Sequence, residues 1–193
     1  TYLNLMKKII INFIHFIGPI LVRHPYAYFL LSYIKKKFYL FLPHEKDFYG
    51  FENFYSKESK GLFLDIGANY GQSARGFLKL FNRWEVLSIE ADEIFENELK
   101  TVKSKYKNQF NYLICAATNI LKENINIFTP ILKNIRITGL TSLDSNYAKK
   151  INQKKIIIDK KITKAIKIDD LNIKPNIVKL DIESSEHLAI EGM

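Results

Sequence analysis

A chain of 193 residues, 47% hydrophobic and 25% charged, is long enough to bury a core and too apolar to stay disordered. Its single cysteine, Cys115, excludes an internal disulfide framework and a cysteine-built zinc site, and fits a reducing, cytoplasmic compartment. The net charge of +9 does not mark a nucleic-acid binder: 25 of the 29 basic residues are Lys and four are Arg, whose planar fork suits phosphates and base edges.

The charge is also unevenly placed. Residues 1–44 hold six Lys/Arg and no Asp or Glu, whereas residues 45–193 hold 23 basic and 20 acidic residues. Residues 9–22 form an apolar run flanked by Lys7, Lys8 and Arg23. At about 20 residues for a bilayer-spanning helix, this run is short, and no small-residue cleavage site follows it. A second run, residues 26–34, precedes Lys35, Lys36 and Lys37, and Gly18-Pro19 and His24-Pro25 divide the segment into short helices. Two readings fit residues 1–44: a helical extension packed on the domain behind it, or a peripheral anchor on the inner membrane surface, where basic residues beside aromatic-rich helices suit anionic lipid. No nucleic-acid partner is expected, and the main domain is placed at residues 45–193.

Residues 44–60 read as the link into that domain. Residues 61–66 are a short apolar run before a Gly-rich turn, hence a buried strand. Ala74, Phe77, Leu78 and Phe81 mark one face of a helix over 72–82, and residues 85–90 form the next strand. Phe95, Leu99, Val102 and Tyr106 form a second helical stripe. Residues 110–117 read as a third strand, 126–128 and 156–168 as further strands, 169–171 as a helical turn, 177–183 as a strongly buried strand, and residues from 184 as another helix. Such alternation predicts an α/β fold with a parallel sheet and helices on both faces. Ligands of such sheets sit at the carboxyl ends of the strands.

The notable polar residues fall at those ends. Asp65 to Ser73 carries glycines spaced GxxxG rather than the GxGxxG of dinucleotide-binding dehydrogenases, which disfavours a nicotinamide oxidoreductase. Gly67 permits a sharp turn and close ligand approach. Gly71 opens a helix whose free N–H groups attract a carboxylate, and Asp65 can accept from an ammonium group. The alternative for this loop is structural, with Asn69 or Ser73 as a helix cap. Glu90, 23 residues after Gly67, ends the second strand where an acid can pair with two ribose hydroxyls; Asp92 assists it or faces water. Small residues at Cys115, Ala116 and Ala117 leave room for an aromatic base or simply pack.

A ligand with an amino-acid end, a ribose and a base is S-adenosylmethionine. The set FLDIGANYGQSA, SIEAD, TSLD and IVKLDIESSEHLAIEGM resembles the FkbM family of methyltransferases over about residues 44–193. Asp65, Gly67, Ala68, Asn69 and Gly71 match the family's loop, Glu90 its second-strand acid, and Lys179, Asp181, Glu183 and Glu186 its later motif. The resemblance implies a Rossmann-like class I O-methyltransferase acting on a hydroxyl of a sugar or polyketide. Ser184-Ser185 stand where the family has Gly-Ala, and Ala91-Asp92 where it usually has Pro and Asn.

Methyl transfer to a sugar hydroxyl needs a proton acceptor within hydrogen-bond reach. Asp181 and Glu183, two apart on the expected strand, share a face at its carboxyl end and are candidates for base or orienting group. Glu186 and His187 begin the next helix; Glu186 is a catalytic candidate or an ordinary first-turn acid, and His187 a base or a structural residue. Paired carboxylates without further clustered ligands give no expectation of a metal. Only about four core strands can be placed before Met193, so a C-terminally incomplete sheet is expected. The competing class is a non-catalytic, membrane-peripheral binding module on the same sheet.

Overall fold

The computed structural model describes residues 46–132, 134–146 and 156–193. Residues 1–44, which carry the expected helical extension and membrane contact, lie outside the described residues. Among the described residues no helix is long and apolar enough to cross a membrane.

Four strands form a parallel sheet in the order β3-β2-β1-β8, with β1 at Leu62–Ile66, β2 at Glu85–Glu90, β3 at Phe110–Ile114 and β8 at Ile177–Leu180. The central strands β1 and β2 are buried on both faces, whereas β3 and β8 at the sheet's edges are mostly half-buried. Helix α1 (Gln72–Leu80) and helix α2 (Glu96–Tyr106) bury the predicted stripes, with Ala74, Phe77, Leu78, Leu99 and Val102 inside. With Phe48, Phe63, Phe81, Trp84, Val86 and Phe110 they make an aromatic-rich core. Leu64, Ile66, Ile89, Cys115, Ala117, Ile168 and Ala189 of α3 (Glu186–Glu191) form a second cluster.

Trp84 anchors the first core. It is fully buried, its ring centroid lies 5.3 Å from that of Phe77, and its indole N–H donates to Ser59 Oγ at 3.0 Å. We expect Trp84→Phe to lower unfolding stability in urea by about 1 to 2 kcal/mol, from lost volume and a lost hydrogen bond.

The remaining strands depart from the expected single sheet. Strand β5 (Lys122–Leu132) pairs antiparallel with β7 (Ile156–Ile166), and with β4 (Ala116–Ala117) and β6 (Ile135–Arg136) they form a second sheet in the order β4-β7-β5-β6. The strand predicted at 126–128 is therefore the middle of an eleven-residue strand, and neither it nor β7 joins the parallel sheet. The predicted third strand also divides. Cys115 leaves it with its N–H donating to the Glu90 carbonyl at 2.8 Å, and Ala116–Ala117 pairs with β7 instead.

A buried ionic cluster fastens the second sheet to the first. Asp92, fully buried, pairs with Arg136 Nη2 at 2.7 Å and Lys161 Nζ at 3.0 Å, and Arg136 also pairs with Asp159. Asp92 Oδ1 in addition accepts from the Ile94 N–H at 3.2 Å, starting the turn Glu93–Phe95. This corrects the expectation that Asp92 faces water or assists the ligand site. Two cations and a backbone donor offset the desolvation of its charge.

Candidate active site

The carboxyl ends of β1, β2, β3 and β8 open into one cleft, and Ile127 of β5 with the segment Thr138–Leu143 after β6 forms its opposite wall. On the parallel-sheet side it is lined by Ile66, Gly67, Asn69, Gln72, Ile89, Glu90, Ala91 and Cys115, then by Asp181, Ile182, Glu183 and Ser185, with Ala116 and Ala117 of β4 beside them. Ile127, Thr138, Gly139, Thr141, Ser142 and Leu143 face them.

Loop geometry follows from its glycines. Gly67 has φ +81, and a Cβ built on it would lie 2.0 Å from the Asp181 carbonyl oxygen. The β1 loop therefore presses directly on the backbone leaving β8. The N–H groups of Gly67 and Ala68 donate to the Ile89 carbonyl at 2.9 and 3.2 Å. Gly71, φ +77, starts α1 without a side-chain cap, and a Cβ there would meet Val102 Cγ2 at 2.9 Å. Gly71 thus serves the contact between α1 and α2 and does not line the cleft. Neither Asn69 nor Ser73 caps the helix: Asn69 Oδ1 accepts from the Tyr70 N–H at 3.0 Å, and Ser73 is buried within α1.

Glu90 closes the floor. Its Oε2 accepts from the Asn69 N–H at 2.6 Å and its Oε1 from the Asp92 N–H at 2.9 Å. Burial pushes its pKa up to about 7, against the opposing pull of those two backbone donors. Beside it, burial raises the Cys115 thiol to about 12, so this thiol stays neutral and unreactive.

Asp65 is placed differently from the sequence expectation. It is fully buried and does not line the cleft. Its cross-strand partners in register are Ser88 and Lys179, and strand neighbours in register share a face of the sheet. Its carboxylate accordingly accepts from Ser88 Oγ at 3.2 Å and lies 3.4 Å from Lys179 Nζ. Lys179 in turn reaches Asp181 at 3.3 Å. The acid expected to meet an ammonium group already faces one supplied by the chain.

Asp181 and Glu183 both line the cleft, but not by strand alternation, because β8 ends at Leu180. The chain then turns through two left-handed residues, Glu183 at φ +51 and Ser184 at φ +78. Each non-glycine residue there carries about 1 to 2 kcal/mol of strain. Ser184 occupies the position where the resembled family has Gly, a residue free of that strain. Glu186 and His187 do not line the cleft. Glu186 Oε1 accepts from the Ile182 N–H at 3.1 Å and so braces the turn, and His187 is exposed on α3.

Of the predicted residues, Gly67, Asn69, Glu90, Ala91, Ala116, Asp181 and Glu183 meet in the cleft, while Asp65, Ala68, Gly71, Ser73, Glu186 and His187 do not. Sequence reasoning missed Gln72. It lines the cleft, is 8% exposed, and its Oε1 has no hydrogen-bond partner among the described residues. The only signal for it was its place as the first helical residue after the glycine loop. It also missed the opposite wall, which comes from Ile127 of β5 and the segment Thr138–Leu143 after β6.

Three carboxylates line the cleft, Glu90, Asp181 and Glu183, and no Lys, Arg or His is among the described lining residues. The methyltransferase FkbM domain matches residues 65–193. The chain belongs to the FkbM methyltransferase family. The matched span begins at Asp65 and includes every described strand but the first three residues of β1. A search of the curated proteins found no match. For this FkbM-family chain, the Rossmann-like character of the fold is carried by β3-β2-β1-β8, and the second sheet is inserted between β3 and β8.

Proposed function

We propose that the cleft binds S-adenosylmethionine and that the protein methylates a hydroxyl, most readily that of a sugar or glycan. The observation that carries this reading is the buried Glu90 at the end of β2, facing a cleft whose charged lining residues are all acidic. Glu90 suits two ribose hydroxyls, since a carboxylate offers more acceptor sites than its two backbone donors occupy. Gln72 Oε1, buried and unmatched, suits an ammonium donor, and the uncapped N-terminus of α1 suits a carboxylate. Ile89, Ala91, Cys115 and Ala116 offer an apolar seat for a base. Asp65 supports the site from behind, through Lys179.

When bound, the cofactor supplies an electrophilic methyl group. The chain's contribution is orientation and proton acceptance, and Asp181 and Glu183 are the carboxylates able to take the acceptor's hydroxyl proton. Calorimetric titration with S-adenosylhomocysteine, and with NAD as control, tests the reading. Binding of the first alone supports it, and binding of NAD alone overturns it, as does heat from neither.

The raised pKa of Glu90 gives that titration a pH signature. Below about 7 the free carboxyl holds its proton, and a ligand that donates to the carboxylate must expel it. Affinity for S-adenosylhomocysteine should therefore rise roughly tenfold from pH 5.5 to 7 and level off above. In Glu90→Gln the profile should be flat over the same range.

A further inference from the structure

The turn after β8 carries Glu183 into the cleft in a conformation its own residues disfavour, with left-handed φ at both Glu183 and Ser184. Such a turn persists only where its surroundings hold it. From its own side it is held by Glu186, through the Ile182 N–H. From the opposite wall a hydroxyl holds it. Ser142 Oγ donates to the Glu183 carbonyl at 2.6 Å, lies 3.4 Å from Ser185 Oγ, and accepts from the Asp144 N–H at 3.1 Å. Ser142 is 3% exposed, and its backbone is fixed in turn, exchanging hydrogen bonds of 2.9 and 3.0 Å with Phe128 of β5.

We infer that Ser142 is the positioning residue for Glu183, transmitting the place of the second sheet to the turn that carries this carboxylate. The inference rests on the reading of the cleft as a methyl-transfer site, in which Glu183 is a candidate base. A hydroxyl has one proton to donate, and here it is spent on the carbonyl of the residue whose side chain lines the cleft. Proton acceptance demands hydrogen-bond reach, so an untied turn would misplace the carboxylate even with every cofactor contact intact.

Backbone hydrogen exchange on the full chain tests this without an acceptor in hand. In Ser142→Ala, the peptide spanning residues 181–187 should exchange about tenfold faster, as for the loss of one hydrogen bond of ordinary strength. Peptides of β5 and of residues 177–180 should stay unchanged. Ser142→Thr, which keeps the hydroxyl, should restore slow exchange, and adding Ser184→Gly to Ser142→Ala should restore most of it by removing the strain. Unchanged exchange in Ser142→Ala overturns the inference, and so does equal acceleration across β5 and β8, which would mean general destabilisation. Titration of the unaltered chain with S-adenosylhomocysteine separates the two claims: no binding there removes the methyl-transfer reading, whereas the exchange pattern alone decides whether Ser142 holds the turn.

Discussion

Glu90→Ala is expected to weaken S-adenosylhomocysteine binding by roughly 100-fold or more, because two hydrogen bonds to a charged group are lost at about 1.5 to 3 kcal/mol each. The substitution also strands the N–H groups of Asn69 and Asp92, which the carboxylate now accepts from. The loop after β1 and the turn after β2 would lose their common tether. Titration well below the variant's own unfolding midpoint isolates the binding term, and Glu90→Gln, which keeps one acceptor, should fall between. An affinity within a factor of three of the unaltered protein would remove Glu90 from the ligand site.

Gly67→Ala is expected to remove roughly 3 to 5 kcal/mol of stability, the sum of a left-handed backbone penalty and an overpacking penalty. The clash is with backbone: the added Cβ would sit 2.0 Å from the Asp181 carbonyl oxygen and 2.8 Å from its carbon. A flexible side chain would yield, but this carbonyl is fixed because the Asp181 N–H donates to Ile66 at 3.0 Å. Gly139→Ala, where a Cβ meets nothing within 4 Å, should stay within about 0.5 kcal/mol and serves as the control. Urea unfolding of the two variants checks both.

The two substitutions probe opposite aspects of one loop. Gly67 lets β1 and β8 leave the sheet side by side, and Glu90 holds the resulting loop against β2. The same contacts that make the loop stable leave the cleft open at the strand ends, where open parallel sheets take their ligands.

Several of these features were legible in the chain itself. The apolar runs at 61–66 and 85–90 read as strands, and Ala74, Phe77, Leu78 and Phe81 as one helix face, because periodicity is a local property of the backbone; the strand read as strongly buried over 177–183 ends at Leu180 and is only half-buried, with Val178 exposed. The glycine loop and Glu90 were legible too, because the carboxyl end of a strand is a place that sequence order defines.

What pairs with what was not legible. Nine residues of β5 pair with nine of β7 across an intervening segment, and nothing local in Lys122–Leu132 names Ile156–Ile166 as its partner. The same holds for charge. Asp65 read as a ligand-facing acid and Asp92 as assisting the ligand site or facing water, and only the tertiary structure sets Lys179 beside one and Arg136 and Lys161 beside the other. Glu183 lost its expected strand geometry because the chain turns left-handed after Leu180, held by Ser142 from the segment that bridges to β5. The sequence by itself determined the parallel strands, the helix faces and the acid at the end of β2. Tertiary structure alone decided which acids are neutralised and which face the cleft, since cross-sheet neighbours are set by packing between segments far apart in the chain.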